Sequence, residues 1–169
     1  APFSITGYTS ATARNEQARS VADLVAVDPT VRMASARSNI NEDLTIRGFP
    51  VASSDFAING MVGLAPFWRV PVEMAESIEI LKGPSSMLFG MAPSGNIGGS
   101  VNIVPKRAAD EPLTRATVGY TGRSIFGAHV DIGRRFGVDN AFGVRVNAMH
   151  RQGDTTVREQ STRQTLGSL

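Results

Sequence analysis

Residues 76–107 read ESIEILKGPSSMLFGMAPSGNIGGSVNIVPKR, and the punctuation of this stretch decides the fold. Ser77 to Lys82 alternates, with Ile78, Ile80 and Lys82 on one face, which is the pattern of a strand. Gly83-Pro84 stops it, Pro84 to Phe89 fits a short helix, and Gly90 stands where a left-handed helix end belongs. Met91 to Gly99 is a loop with three glycines and one proline. Ser100 to Val104 returns as a strand, closed by Pro105-Lys106-Arg107. Strands and short helices mixed at this density describe an α+β domain with a small sheet.

The chain upstream has the same texture. Phe3 to Thr6 alternates between Pro2 and Gly7 and predicts a short strand. Ser20-Val21-Ala22-Asp23 has the form of a capping box and predicts two helical turns, Val21 to Val27, ending before Asp28-Pro29. Leu44 to Pro50 reads as a short strand broken by Gly48, and Phe56 to Gly60 as another ending in the turn signal Asn59-Gly60. Pro71 to Ala75 fits one helical turn opened by proline.

From about Leu113 the pattern changes to sustained period-two alternation. Thr114 to Thr121 places Ala116, Val118 and Tyr120 on one side. Ser124 to Phe136 collects Phe126, Ala128, Val130, Ile132 and Phe136 on one face and Gly127, His129, Asp131, Gly133 and Arg135 on the other. Ala141 to Arg151 sets Phe142, Val144, Val146 and Ala148 against Arg145, Asn147 and Arg151, and a fourth strand begins near Thr162. Strands of about 9–11 residues with one apolar face suit a transmembrane barrel. They suit an antiparallel sheet on a soluble core at least as well, so alternation alone leaves both readings open.

Composition removes other classes. The 169 residues contain no cysteine, which excludes disulfide scaffolds, thiol nucleophiles and cysteine metal sites. The net charge of +2 is too small to argue for nucleic acid. Residues 1–112 hold 9 basic and 11 acidic groups, and residues 113–169 hold 8 and 4, so two regions are separable. There is no 18-residue apolar run and no signal-peptide pattern. The glycine-rich loop after Lys82 has the lysine on the wrong side for a phosphate loop. None of Ser85, Ser86 and Ser94 sits in a Gly-x-Ser-x-Gly elbow. His129 and His150 fall on opposite faces of their strands, and Glu73, Glu76 and Glu79 share no helical face. No catalytic residue, metal ligand or cofactor site emerges, and the reading is of a protein that is not an enzyme. Arg47 and Lys82 stand out instead: each is a cation followed by glycine at the end of an apolar strand.

Four motifs occur in order: Leu44-Thr45-Ile46-Arg47-Gly48-Phe49, Ile58-Asn59-Gly60, Glu76 to Gly90, and Gly98 to Arg107. Together they resemble the plug domain of TonB-dependent outer-membrane receptors, most closely the siderophore-receptor branch. The resemblance implies a small mixed-sheet plug domain with short helices over residues 1–110. It implies that residues 113–169 are the first three to four antiparallel transmembrane strands of an incomplete barrel, with Gly137 to Asn140 a periplasmic turn and Gln152 to Ser161 a longer extracellular loop. On this reading the chain is a fragment whose TonB-box peptide lies upstream.

The resemblance further implies a receptor in the bacterial outer membrane that carries ferric siderophores inward, the plug gating the barrel and TonB acting through the N-terminal segment. Its partners are the siderophore, TonB and membrane lipid, and iron enters only as cargo. Three plug loops, Ala34 to Asn41, Val51 to Asp55 and Gly63 to Arg69, then face the ligand, with Arg37, Ser54, Phe67 and Trp68 as candidate contacts. Arg47 and Lys82 match cations that pair with barrel glutamates to lock the plug, so both are expected to lack carboxylate partners within residues 1–169. The alternative is a soluble α+β ligand-binding module.

Overall fold

A computed structural model describes residues 4–37, 39–84, 90, 92, 93, 95, 97–122, 124–155 and 157–169. It divides into two compact units, Ala1–Pro105 and Lys106–Leu169. The boundary lies five residues before the end of the 1–110 domain expected from the sequence, because the chain from Lys106 onward packs with the later strands.

The first unit holds a five-stranded mixed sheet in the order β1-β7-β8-β5-β6. Its members are β1 (Ser4–Thr9), β5 (Ala57–Ile58), β6 (Met61–Val62), β7 (Ala75–Lys82) and β8 (Gly99–Pro105). The motif stretch therefore supplies the two central strands, β7 and β8, paired antiparallel, and β5 adds to β8 in parallel. Ile78, Ile80, Val101 and Ile103 are buried in the core beside Leu24, Leu44, Ile46 and Phe56. The body of the short helix expected to follow Pro84 lies outside the described residues.

A second sheet, β2 (Val31–Met33), β3 (Leu44–Ile46) and β4 (Phe49–Val51), is antiparallel in chain order. The segment expected as one strand interrupted by Gly48 is thus a hairpin. Arg47 and Gly48 both take positive φ, 53° and 87°, which is the geometry of a two-residue turn whose twist matches the strands it joins. Asn59-Gly60 makes the same kind of turn, as its sequence signals, with φ of 51° and 80°.

Helices are few. α1 (Ser10–Asn15), passed over in the sequence, is capped by the Thr9 hydroxyl, which accepts from the Thr12 N–H at 3.2 Å. The two turns expected over Val21 to Val27 form as α2 (Val21–Leu24) and a 3₁₀ turn, Val25–Val27, but without the expected capping box. The Ser20 side chain makes no cap bond, and Asp23 accepts from the Arg19 N–H instead. The cap comes from Glu42, whose Oε1 accepts from the Ala22 N–H at 2.8 Å. The turn after Pro71 forms over Val72–Met74.

The second unit is a four-stranded antiparallel sheet, β12-β11-β10-β9. Its strands are β9 (Leu113–Thr121), β10 (Ile125–Phe136), β11 (Phe142–Asp154) and β12 (Ser161–Ser168). β11 runs three residues past Arg151, so the connection expected from 152 to 161 shrinks to residues 155–160. It is then little longer than the 137–141 turn, and the asymmetry of the two connections that the sequence suggested disappears.

Candidate functional site

The two singled-out cations meet at one turn. Lys82, at the end of β7, places Nζ 2.5 Å from Asp28 Oδ2, and both side chains are nearly buried. Asp28 also accepts from the Thr30 N–H at 2.9 Å and from the Thr30 hydroxyl at 2.6 Å. Burial pushes its pKa up, but the hydrogen bonds from Lys82 and Thr30 outweigh that and hold it down at about 2. Burial and the neighbouring Asp28 charge raise the Tyr8 hydroxyl above its usual range. The Arg47 N–H donates to the Thr30 carbonyl at 2.8 Å, so the same turn holds the β3–β4 hairpin. Arg47 itself is exposed. The expectation that both cations lack a carboxylate within residues 1–169 therefore fails at Lys82. Asp28 precedes a proline and carries no local signal of its partner, because the two are brought together only by the packing of β7 on the 28–30 turn.

The three loops singled out in the sequence converge. Asp43 is their junction: its N–H donates to Ser35 Oγ at 2.7 Å, its carbonyl accepts from the Ala34 N–H at 2.8 Å, and its carboxylate accepts from Asn41 Nδ2 at 2.6 Å and from the Ser53 N–H at 3.0 Å. Ser53 Oγ then donates to the Phe67 carbonyl at 2.6 Å, and the Arg69 N–H to the Ile40 carbonyl at 2.8 Å. These bonds fix a surface on which large apolar side chains face solvent: Ile40, Leu64, Phe67 and Trp68 are 68%, 55%, 60% and 58% exposed. Of the candidate contacts, Phe67 and Trp68 stand on this surface. Ser54 is half-buried, and the bonding between loops belongs to its neighbour Ser53. Arg37 is exposed and its Nη2 lies 3.3 Å from Asp23 Oδ1, so part of its charge is already answered.

Asp43 and Glu42 were missed in the sequence although one signal was present. Glu42 continues the period-two face of Leu44 and Ile46, which places an acid on the buried side. It is fully buried, and burial raises its pKa despite the Ala22 and Arg69 groups beside it. Among the described residues no cluster of three or more His, Asp or Glu side chains is placed to hold a metal ion.

In the second unit the faces separate as the alternation implies. Phe126, Val130, Ile132, Phe136, Phe142, Val144 and Val146 are exposed on one side, continuous across the pairing of β10 with β11. Phe136 pairs with Phe142 at one end, and Phe126 with Tyr120 towards the other. On the opposite face Asp131, Asn147 and Arg151 are buried.

The family model described as "TonB-dependent Receptor Plug Domain" matches residues 1–100. The chain belongs to the TonB-dependent receptor family. Its plug is the first unit, and this membership decides against the soluble module that alternation had left open. Among curated relatives, the chain is 41% identical over 168 residues to the ferrichrome receptor FcuA of Yersinia enterocolitica, covering 99% of this chain and 22% of that protein. It is 29% identical over 156 residues to the ferrichrome outer membrane transporter/phage receptor of Escherichia coli K12, covering 89% of this chain and 20% of the relative. The chain thus spans about a fifth of the length of these relatives. The crystal structure of BauA, the ferric preacinetobactin receptor of Acinetobacter baumannii, superposes with a TM-score of 0.94 at 42% identity, covering 99% of this chain and 25% of that one. The pyoverdine receptor FpvA of Pseudomonas aeruginosa shares the fold, with a TM-score of 0.82 at 14% identity, covering 99% of this chain and 24% of that one.

Proposed function

We propose that the chain is the plug and first wall strands of an outer-membrane receptor that takes up ferric siderophores, the plug's converged loops forming the ligand's contact surface. The observation that carries this is the bonded junction at Asp43 and Ser53, which holds Phe67 and Trp68 outward on backbone that does not depend on those side chains. Ordinary folding buries large aromatics, and a supported apolar cluster left in solvent marks a contact surface. Phe67 and Trp68 pack on the organic frame of a siderophore, and Arg37 at the margin answers the charge of its ferric chelate. Ser54 borders the same surface. The ligand leaves chemically unchanged, so the chain needs no catalytic group, and ferric iron is cargo.

The outward stripe of the second unit faces lipid. Phe126 and Phe136 stand ten residues apart in β10, about 33 Å along the strand. At the tilt usual in outer-membrane barrels this spans about 25 Å of membrane, with aromatic pairs near both interfaces. The chain's further partner is TonB, reached through a segment upstream of the plug. Arg47, exposed on its turn, is the cation placed to meet a glutamate of the wall, and Lys82 shares that role only by competing with Asp28.

The test is titration of the complete receptor with ferrichrome and with ferric preacinetobactin. Phe67→Ala and Trp68→Ala are each expected to weaken binding of the recognised ligand by about tenfold, corresponding to loss of about 1.4 kcal/mol of apolar and stacking contact. Arg37→Ala is expected to weaken it less, because Asp23 already holds part of its charge. Unchanged affinity in both aromatic variants would refute the assignment of the surface.

A further inference from the structure

The segment that joins the plug to the strands carries more attachments than a connector needs. Asp131, on the inward face of β10, is fully buried. Arg145 of β11 binds it in two places, Nε to Oδ1 at 2.8 Å and Nη2 to Oδ2 at 2.9 Å. Lys106 of the connector adds a third charged bond, Nζ to Oδ2 at 2.9 Å, and reaches Asn147 Oδ1 at 3.3 Å, with its side chain only 4% exposed. The next residues continue the contact. The Arg107 carbonyl accepts from Arg145 Nη1 at 2.9 Å. Ala108 lies against Gly143, so closely that a Cβ added there would stand 3.0 Å from Ala108 Cβ. Asp110 pairs with Arg135. Four of the five residues from 106 to 110 are thus fastened to β10 and β11.

A buried carboxylate with two cations is costly to separate, since withdrawing one cation strands charge in a medium that does not solvate it. We propose that residues 106–110 are a fixed clamp on the strand wall, so that any rearrangement of the plug ends at the Pro105–Lys106 bond and is not passed into β9. This rests on the reading of the first unit as a movable plug and of the second as barrel wall. The clamp makes the wall's own first residues the stop for a pull applied from the N-terminal side. It gives Lys106 a role separate from the plug cations Arg47 and Lys82.

The experiment is hydrogen exchange of the complete receptor in phospholipid vesicles across a urea series, read by mass spectrometry. In the unaltered receptor, amides of residues 106–111 are expected to open with β9 to β11, at higher urea than β7 and β8. Lys106→Met is expected to speed exchange of residues 106–111 by about tenfold or more while β10 and β11 keep their protection. Opening of residues 106–111 together with β7 and β8 in the unaltered receptor would overturn the clamp, and so would an unchanged rate in Lys106→Met. A single transition shared by all the strands would instead overturn the division into plug and wall on which the clamp rests.

Discussion

Two buried acids of the plug respond to pH in opposite directions, and the difference lies in what each oxygen meets. Asp28 has its folded pKa lowered from 3.8 to about 2 by Lys82 and Thr30. Its contribution is therefore fully present above pH 4 and is lost as pH falls through the folded value, at most about 2 kcal/mol. Glu42 has one oxygen on the Ala22 N–H, and burial raises its pKa, so the stability it contributes is greatest while protonated and declines as pH rises through and above the ordinary glutamate range. In urea unfolding of the plug, Asp28→Asn is expected to remove most of the loss between pH 4 and pH 2. Glu42→Gln, which keeps an acceptor for the Ala22 N–H, is expected to match or exceed the parent at pH 7. Glu42→Ala is expected to cost about 1–2 kcal/mol through the lost helix cap. A flat acid profile in the parent plug would refute the Asp28 argument. Of these residues, Lys82 was legible from its place beside Gly83, whereas the identity of its partner was not. Asp28 stands 54 positions away, and no periodicity links them.

At the scale of elements, turn residues carried most of the legible information. Asn59-Gly60 and the glycine after Arg47 mark two-residue turns because both turn positions need positive φ. The misreading of Leu44 to Pro50 came from treating Gly48 as an interruption when it is the turn itself. Gly99 is constrained by the sheet: its φ is +147°, and a Cβ there would stand 2.1 Å from the Leu81 carbonyl oxygen. At Gly98 a Cβ would meet Phe49 Cβ at 2.5 Å, so the pair lets the β3–β4 hairpin close on the start of β8. Gly7 in β1 has nothing within 4 Å of such an atom and no positive φ. Gly99→Ala is expected to cost about 3 kcal/mol or more, and Gly7→Ala to leave stability within about 1 kcal/mol or raise it slightly. Denaturant midpoints of the two variants check this, and equal midpoints would contradict it. α1 was missed because Thr9 to Asn15 has no apolar period and is held by its cap and by packing of Ala13.

At the scale of the molecule, the two units follow different rules. The plug gathers its buried apolar residues in one core and exposes Ile40, Leu64, Phe67 and Trp68 on the loop surface, with Ile5, Val27, Phe49, Met61 and Ile97 exposed singly elsewhere, whereas the strand unit turns a continuous apolar face outward. Period two alone sorts these residues onto one face, and their exposure in the folded unit shows that this face is the outward one. Val130, near the middle of the stripe, is expected to tolerate arginine poorly. Val130→Arg is expected to cost about 2–4 kcal/mol in equilibrium folding of the complete receptor into vesicles, against about 0–1 kcal/mol for Phe126→Arg near the interface. Equal costs at the two positions would place the stripe outside the bilayer.

The order of amino acids determined the two central strands of the motif stretch, the Asn59-Gly60 turn, which strand face is apolar, and which family the four motifs match, because each of these depends on residues a few positions apart. Tertiary structure decided which side chains answer one another: Lys82 with Asp28, Glu42 with the Ala22 N–H, Ser53 with the Phe67 carbonyl, and Lys106 with Asp131. The physical reason is that a buried charge or an open backbone donor must find a partner wherever packing brings one. That meeting is set by how the strands stack and where their ends fall, and local spacing along the chain does not encode it.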